Sequence, residues 1–124
     1  MISRILTIAI LTIFSLGASA QTEKMDSIIY SKVEKLPEVK AYLKNAQHVF
    51  NKSDAGGNPR VATIIQNRPS GQFKYYWVQV GMMTDYRFTP ELNFYVLPKT
   101  YEVRYLETTS DSVLTLKQWR KKKG

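Results

Sequence analysis

The sequence predicts an α+β fold, with an N-terminal helical arm packed on a four-stranded antiparallel sheet and a short helix at the C-terminus. Three observations carry that expectation. Apolar residues recur at helical spacing before Asn51, and at twofold spacing after Arg60. The alternating runs are separated by short turn-forming stretches, with no helix-length crossovers, which is the pattern of an antiparallel meander.

Residues 73–82, FKYYWVQVGM, form the centre of that sheet. Their aromatic and β-branched side chains favour a pleated strand. Tyr76, Val78, Val80 and Met82 point one way, toward a core, while Phe73, Tyr75, Trp77 and Gln79 point the other. The second face is aromatic with polar tips, so it tolerates partial exposure.

Ahead of the folded part, residues 1–20 read as a signal peptide. Arg4 supplies a positive n-region, residues 5–16 an apolar run, and Ala18-Ser19-Ala20 a small-x-small cleavage site. A membrane anchor needs a longer apolar run and a charged stop. Cleavage after Ala20 makes residues 21–124 the mature chain, a single domain of 104 residues in the periplasm or outside the cell. With no cysteine, such a chain is held by packing alone. Its net charge of +8 falls to +7 when Arg4 is removed. Export argues against nucleic acid as the partner of that charge, and leaves an anionic membrane surface, a glycan or an acidic protein, or solubility alone.

The mature chain opens with two helical segments. Residues 21–25 read as a frayed terminus, and Asp26 or Ser27 as the cap of a helix burying Ile29, Val33 and Leu36. Pro37 stops it and suits the first turn of a second helix, to about Ala46, with Val39, Tyr42, Leu43 and Ala46 on one face. One kinked helix is the alternative. Lys32, Lys35, Lys40 and Lys44 point outward as a solvated face. Residues 51–60, NKSDAGGNPR, are rich in turn formers and read as a loop.

Strands are then expected over residues 61–67, 72–83, 92–97 and 101–107, joined by turns at 68–71 and 98–100 and a connection over 84–90. After residues 108–112, Thr115 and Gln118 stand at capping-box spacing and start a helix over 116–121, which Trp119 docks. Lys121, Lys122 and Lys123 read as a solvated, frayed tail.

Catalytic constellations are sparse. There is no cysteine nucleophile, and with His48 as the single histidine no multi-histidine metal site. A Ser–His–Asp arrangement has to use His48, perhaps with Asp54, and no nucleophile-elbow pattern accompanies them. The ten acids are scattered singly. A non-enzyme with no cofactor or metal is the reading. The candidate binding residues are those of the outer sheet face: Tyr75, Trp77, Gln79, Tyr95 and Arg104, with Asn93 and Glu102 beside them. The competing expectation is that the Trp119 segment folds over these aromatics as a second small core.

The arm containing LPEVK, the strand YYWVQVG and the hairpin NFYVLPKTYEVRY together resemble the small exported PepSY-like domains, over about residues 27–107. The last hairpin departs from that pattern, with Leu97 and Tyr101 where such domains usually carry an Asp and a Gly. The resemblance implies a helix on an antiparallel sheet, broadly similar to cystatin-like folds. It also implies an exported, non-catalytic domain engaged in protein binding or protease inhibition. It assigns no functional residue.

Overall fold

The computed structural model describes residues 20–52 and 56–123. The expected signal peptide, apart from its last residue, and Asp54 lie outside them. Two helices, α1 (residues 20–34) and α2 (Pro37–Lys52), precede five strands: β1 (Arg60–Asn67), β2 (Tyr76–Met83), β3 (Phe88–Val96), β4 (Val103–Glu107) and β5 (Ser112–Thr115). Helix α3 (Leu116–Lys123) follows directly. The sheet is antiparallel throughout, in the order β1-β2-β3-β4-β5. The α+β class is as expected, and the sheet has one strand more than expected.

One face of the sheet carries the core. Register aligns Ile65, Val78, Phe94, Tyr105 and Leu114 across all five strands, with Tyr76, Val96 and Val103 in the next row. Ile29 and Val33 of α1, Val39 of α2 and Trp119 of α3 close over them. Burial of this apolar surface is the main stabilising term, at about 25 cal/mol per Å². The inward set predicted for the central strand is the one the fold buries, with Met82 only half-buried.

Several boundaries differ from expectation. Helix α1 is already formed at residue 20, so Asp26 lies inside it, and its carboxylate accepts hydrogen bonds from the Arg68 guanidinium instead of capping. Gln, Glu, Lys and Met are good helix formers, which lets the helix extend back across the expected frayed end. Helix α2 continues to Lys52, taking two residues from the expected loop. Strand β2 begins at Tyr76. Before it, Ser70 and Phe73 exchange backbone hydrogen bonds around Gly71, whose φ of 55° is left-handed.

Strand β3 begins at Phe88, inside what reads as a connection, despite Pro90. β4 pairs with β3 only from Phe94 onward, so Pro90 occupies an open length of edge where its missing N–H removes no ladder bond. The register shifts between Val80 and Gly81, and the chains meet closely there. A Cβ on Gly81 would collide with the Thr89 carbonyl oxygen, so only glycine fits.

Strand β5 is the unexpected one. A turn with Asp111 at φ 52° folds Ser112–Thr115 back on β4. At its end the capping box forms as predicted: Thr115 Oγ1 accepts from the Gln118 N–H, and Gln118 Oε1 accepts from the Thr115 N–H. The terminal basic residues are exposed, as expected, but they are helical to Lys123 rather than frayed, and three of them are engaged. Arg120 makes a two-pronged contact with Glu38, Lys122 meets Glu107, and the Lys123 amine lies 4.4 Å from the Trp119 ring centre.

The Arg120 guanidinium holds the Glu38 carboxyl below its ordinary value of about 4.5. A carboxyl lowered by folding adds stability that is present above its unfolded-state pKa and lost as pH falls through the folded one. Glu38→Gln is therefore expected to lower the denaturation midpoint at pH 7. The gap from the parent should close on acidification below about 4.5. A gap that persists at pH 2 contradicts the assignment.

Candidate functional site

The other face of the sheet carries a different set of residues. Register places Asn67, Trp77, Tyr95, Arg104 and Thr115 in one row across the sheet, and Ile64, Gln79 and Asn93 in the next. Helices α1, α2 and α3 all contribute to the core on the opposite side. The expectation that the Trp119 segment covers the aromatics is overturned. The Trp119 ring stacks on Tyr105 at 4.1 Å and meets Phe94 edge-on at 5.7 Å, both on the helix-covered face. Phe94 and Tyr105 are paired residues, one step out of phase with Tyr95 and Arg104, and this alternation sends Trp119 to the far side.

Four aromatic rings gather on this second face. Tyr75 and Tyr95 are stacked, with centroids 4.9 Å apart and planes 14° from parallel. Phe73 stands edge-on to both, at 6.2 Å and 5.5 Å, and Trp77 stands edge-on to Tyr95 at 6.5 Å. Such pairs contribute about 0.5–1.5 kcal/mol each beyond their buried area and fix the rings relative to one another. All four are half-buried, so the cluster is ordered and still reaches solvent. Phe73 is placed by the Ser70–Phe73 turn, since it precedes β2. Burial pushes the Tyr95 hydroxyl pKa up, with the charges of Asp111 and Tyr75 adding to it, so Tyr95 is a neutral donor and acceptor at physiological pH.

Beneath the rings lies an amide pair. Asn93 Oδ1 accepts from Trp77 Nε1 at 3.1 Å and from Gln79 Nε2 at 2.8 Å. Gln79 is 8% exposed and Asn93 7%. Gln79, expected among the contact residues, is thus a positioning group: with Asn93 it locks the Trp77 indole from below. The distinction follows from burial, which alternation alone does not give. Asn93→Ala is expected to leave two donors unpaired and to cost about 1–3 kcal/mol. The Trp77 emission should shift to the red as its indole loosens, and unchanged emission together with unchanged stability contradicts this role.

Arg104 closes the other side. Its Nη1 lies 3.5 Å from the Tyr75 hydroxyl oxygen and its Nη2 donates to Glu102 at 3.2 Å. Its Nε is buried without a partner among the described residues. The guanidinium therefore stands at the rim of the aromatic cluster. The structure brings together Tyr75, Trp77, Tyr95 and Arg104 as half-buried members that reach solvent and Gln79 as their support. Phe73, although on the predicted face, was not among the expected site residues. The signal for it was the Gly71 turn, which returns its ring to the cluster.

The face offers aromatic surface and one guanidinium for recognition, with the buried amide pair beneath them. Glu102 is the acid beside Arg104, and no group of three or more metal-ligating side chains occurs among the described residues. His48 is exposed on α2, among the residues of the helical layer. No helix among the described residues is long and apolar enough to cross a membrane. No protein-family model matches the chain, and no curated protein or solved structure matches it either.

Proposed function

We propose that the chain is an exported, non-catalytic binding or inhibitory module that takes a protein or peptide of the cell envelope on its aromatic sheet face. The observation that carries this reading is the cluster of Phe73, Tyr75, Trp77 and Tyr95, ordered by ring contacts and a buried amide pair, with Arg104 at its rim. Rigid aromatics beside arginine are the side chains enriched where binding energy is concentrated, because they bury much surface and lose little rotamer freedom. Export rests on Arg4, the apolar run after it and Ala18-Ser19-Ala20. The resemblance to PepSY-like exported domains points the same way.

A basic protein that associates with anionic membrane or glycan through its lysines is the other class. Two of its cations are already engaged, Arg120 by Glu38 and Lys122 by Glu107, which reduces the free charge of the C-terminal helix. Salt separates the two, because surface association by charge fades with ionic strength and buried aromatic contacts do not. In a pull-down from the envelope at low and at moderately high salt, one partner retained at both and lost with Trp77→Ala and Tyr95→Ala is expected. Retention of lipid or glycan alone, released by salt, contradicts the proposal, as does turnover of a substrate.

A further inference from the structure

The two edges of the sheet are protected to very different degrees. In an antiparallel strand each residue turns its N–H and C=O to the same side, and successive residues alternate. The Leu97 N–H donates to the Glu102 carbonyl, so Asn93 and Tyr95, on the same side of the bulge at Glu91, turn toward β4. Carried through the register, Tyr105 turns toward β5, leaving Val113 and Thr115 to point outward. Carried the other way, Val78 turns toward β3, Gln79 and Ile64 turn toward each other, and Val61, Thr63 and Ile65 point outward from β1. The hydrogen bonds at the two edges agree: the Thr115 N–H reaches Gln118, and the Ile65 N–H reaches the Tyr30 hydroxyl at 3.4 Å.

The β5 edge is four residues long, and α3 caps one of its two outward residues. The β1 edge is eight residues long. Tyr30 closes it at Ile65, and Pro59, having no N–H, closes the other end. Between them Val61 and Thr63 have no backbone partner on their outward side among the described residues. No lysine, proline or inward charge guards this window, the usual protection of an edge strand.

We propose that this window pairs with its own copy in a second molecule, antiparallel, about a two-fold axis at Ala62. Three features select a second copy. The register is self-complementary: Val61 falls opposite the other copy's Thr63, both outward, and each pair exchanges two backbone hydrogen bonds. Ala62 falls opposite Ala62 in the close, non-hydrogen-bonded position, where a small side chain fits best. Arg60 falls opposite Ile64, and Arg60 and Arg68 are already neutralised by Asp85 and Asp26, so the charge of the whole chain is not concentrated here. The axis is perpendicular to the sheet, so both aromatic faces lie on one side of a continuous sheet. The inference does not depend on what those faces bind.

Sedimentation equilibrium of the mature chain tests it. Self-association with a Kd on the order of 100 µM is expected, since four backbone bonds and a small apolar contact belong to the low end of interface size. Ala62→Lys and Ala62→Glu should each abolish it, because like charges then stand opposite one another, and mixing the two variants should restore a dimer. Amide exchange of the parent needs no substitution: Val61 and Thr63 should become protected as concentration rises. A monomer throughout that range overturns the proposal. So does a dimer that Ala62→Lys leaves intact, or exchange at Val61 and Thr63 that is independent of concentration.

Discussion

Val78→Asp is expected to abolish cooperative folding. Val78 is fully buried, with Ile65 and Phe94 as its cross-strand neighbours on the core face. A carboxylate there has no cationic partner, and an unpaired buried charge costs about 4–5 kcal/mol or more. That is comparable with the whole stability of a domain of this size, about 5–15 kcal/mol. Chemical denaturation followed by circular dichroism should show no cooperative transition. A variant melting within a degree or two of its parent would mean that the two faces of β2 are the reverse of those described.

Trp119→Ala is expected to cost about 3–5 kcal/mol, the range for removing a large aromatic from a core. The ring is 5% exposed, stacked on Tyr105 and edge-on to Phe94, so its loss leaves a cavity between α3 and the sheet. The chain has two tryptophans, so the variant leaves Trp77 as its one indole fluorophore. Trp77 emission in the folded variant should match the Trp77 component of the parent, because the two indoles lie on opposite faces. A stability loss under 1 kcal/mol, or a displaced Trp77 spectrum, contradicts this arrangement.

The helix-covered face was legible because alternation in FKYYWVQVGM is unbroken and its aliphatic set is unambiguous. The same alternation brought Tyr75, Trp77, Tyr95 and Arg104 to one side. It did not separate exposed from buried members, and so it placed Gln79 among the contacts. Burial of Gln79 depends on its neighbours Ile64 and Asn93, which lie on other strands.

Strand β5 escaped notice because four residues give too little period to count, and its turn depends on Asp111 in a left-handed conformation rather than on a glycine. Tyr101 is the parallel case. It takes φ 58° in the turn after Pro98, a conformation in which glycine is at ease and tyrosine is strained by about 1 kcal/mol or more. Its ring packs against the core, an interaction that sequence spacing does not announce. The start of β3 was hidden by Pro90, whose tolerance depends on the shortness of β4.

Oxidative footprinting of the aromatic side chains, with and without a partner captured in the pull-down, tests the central claim most directly. Tyr86, 85% exposed in the turn at the far end of β2, serves as the internal reference. The account predicts that Tyr75, Trp77 and Tyr95 become protected on complex formation while Tyr86 labels as before. Protection confined to the lysine-bearing helices, with the labelling of Tyr75, Trp77 and Tyr95 unchanged, would contradict it.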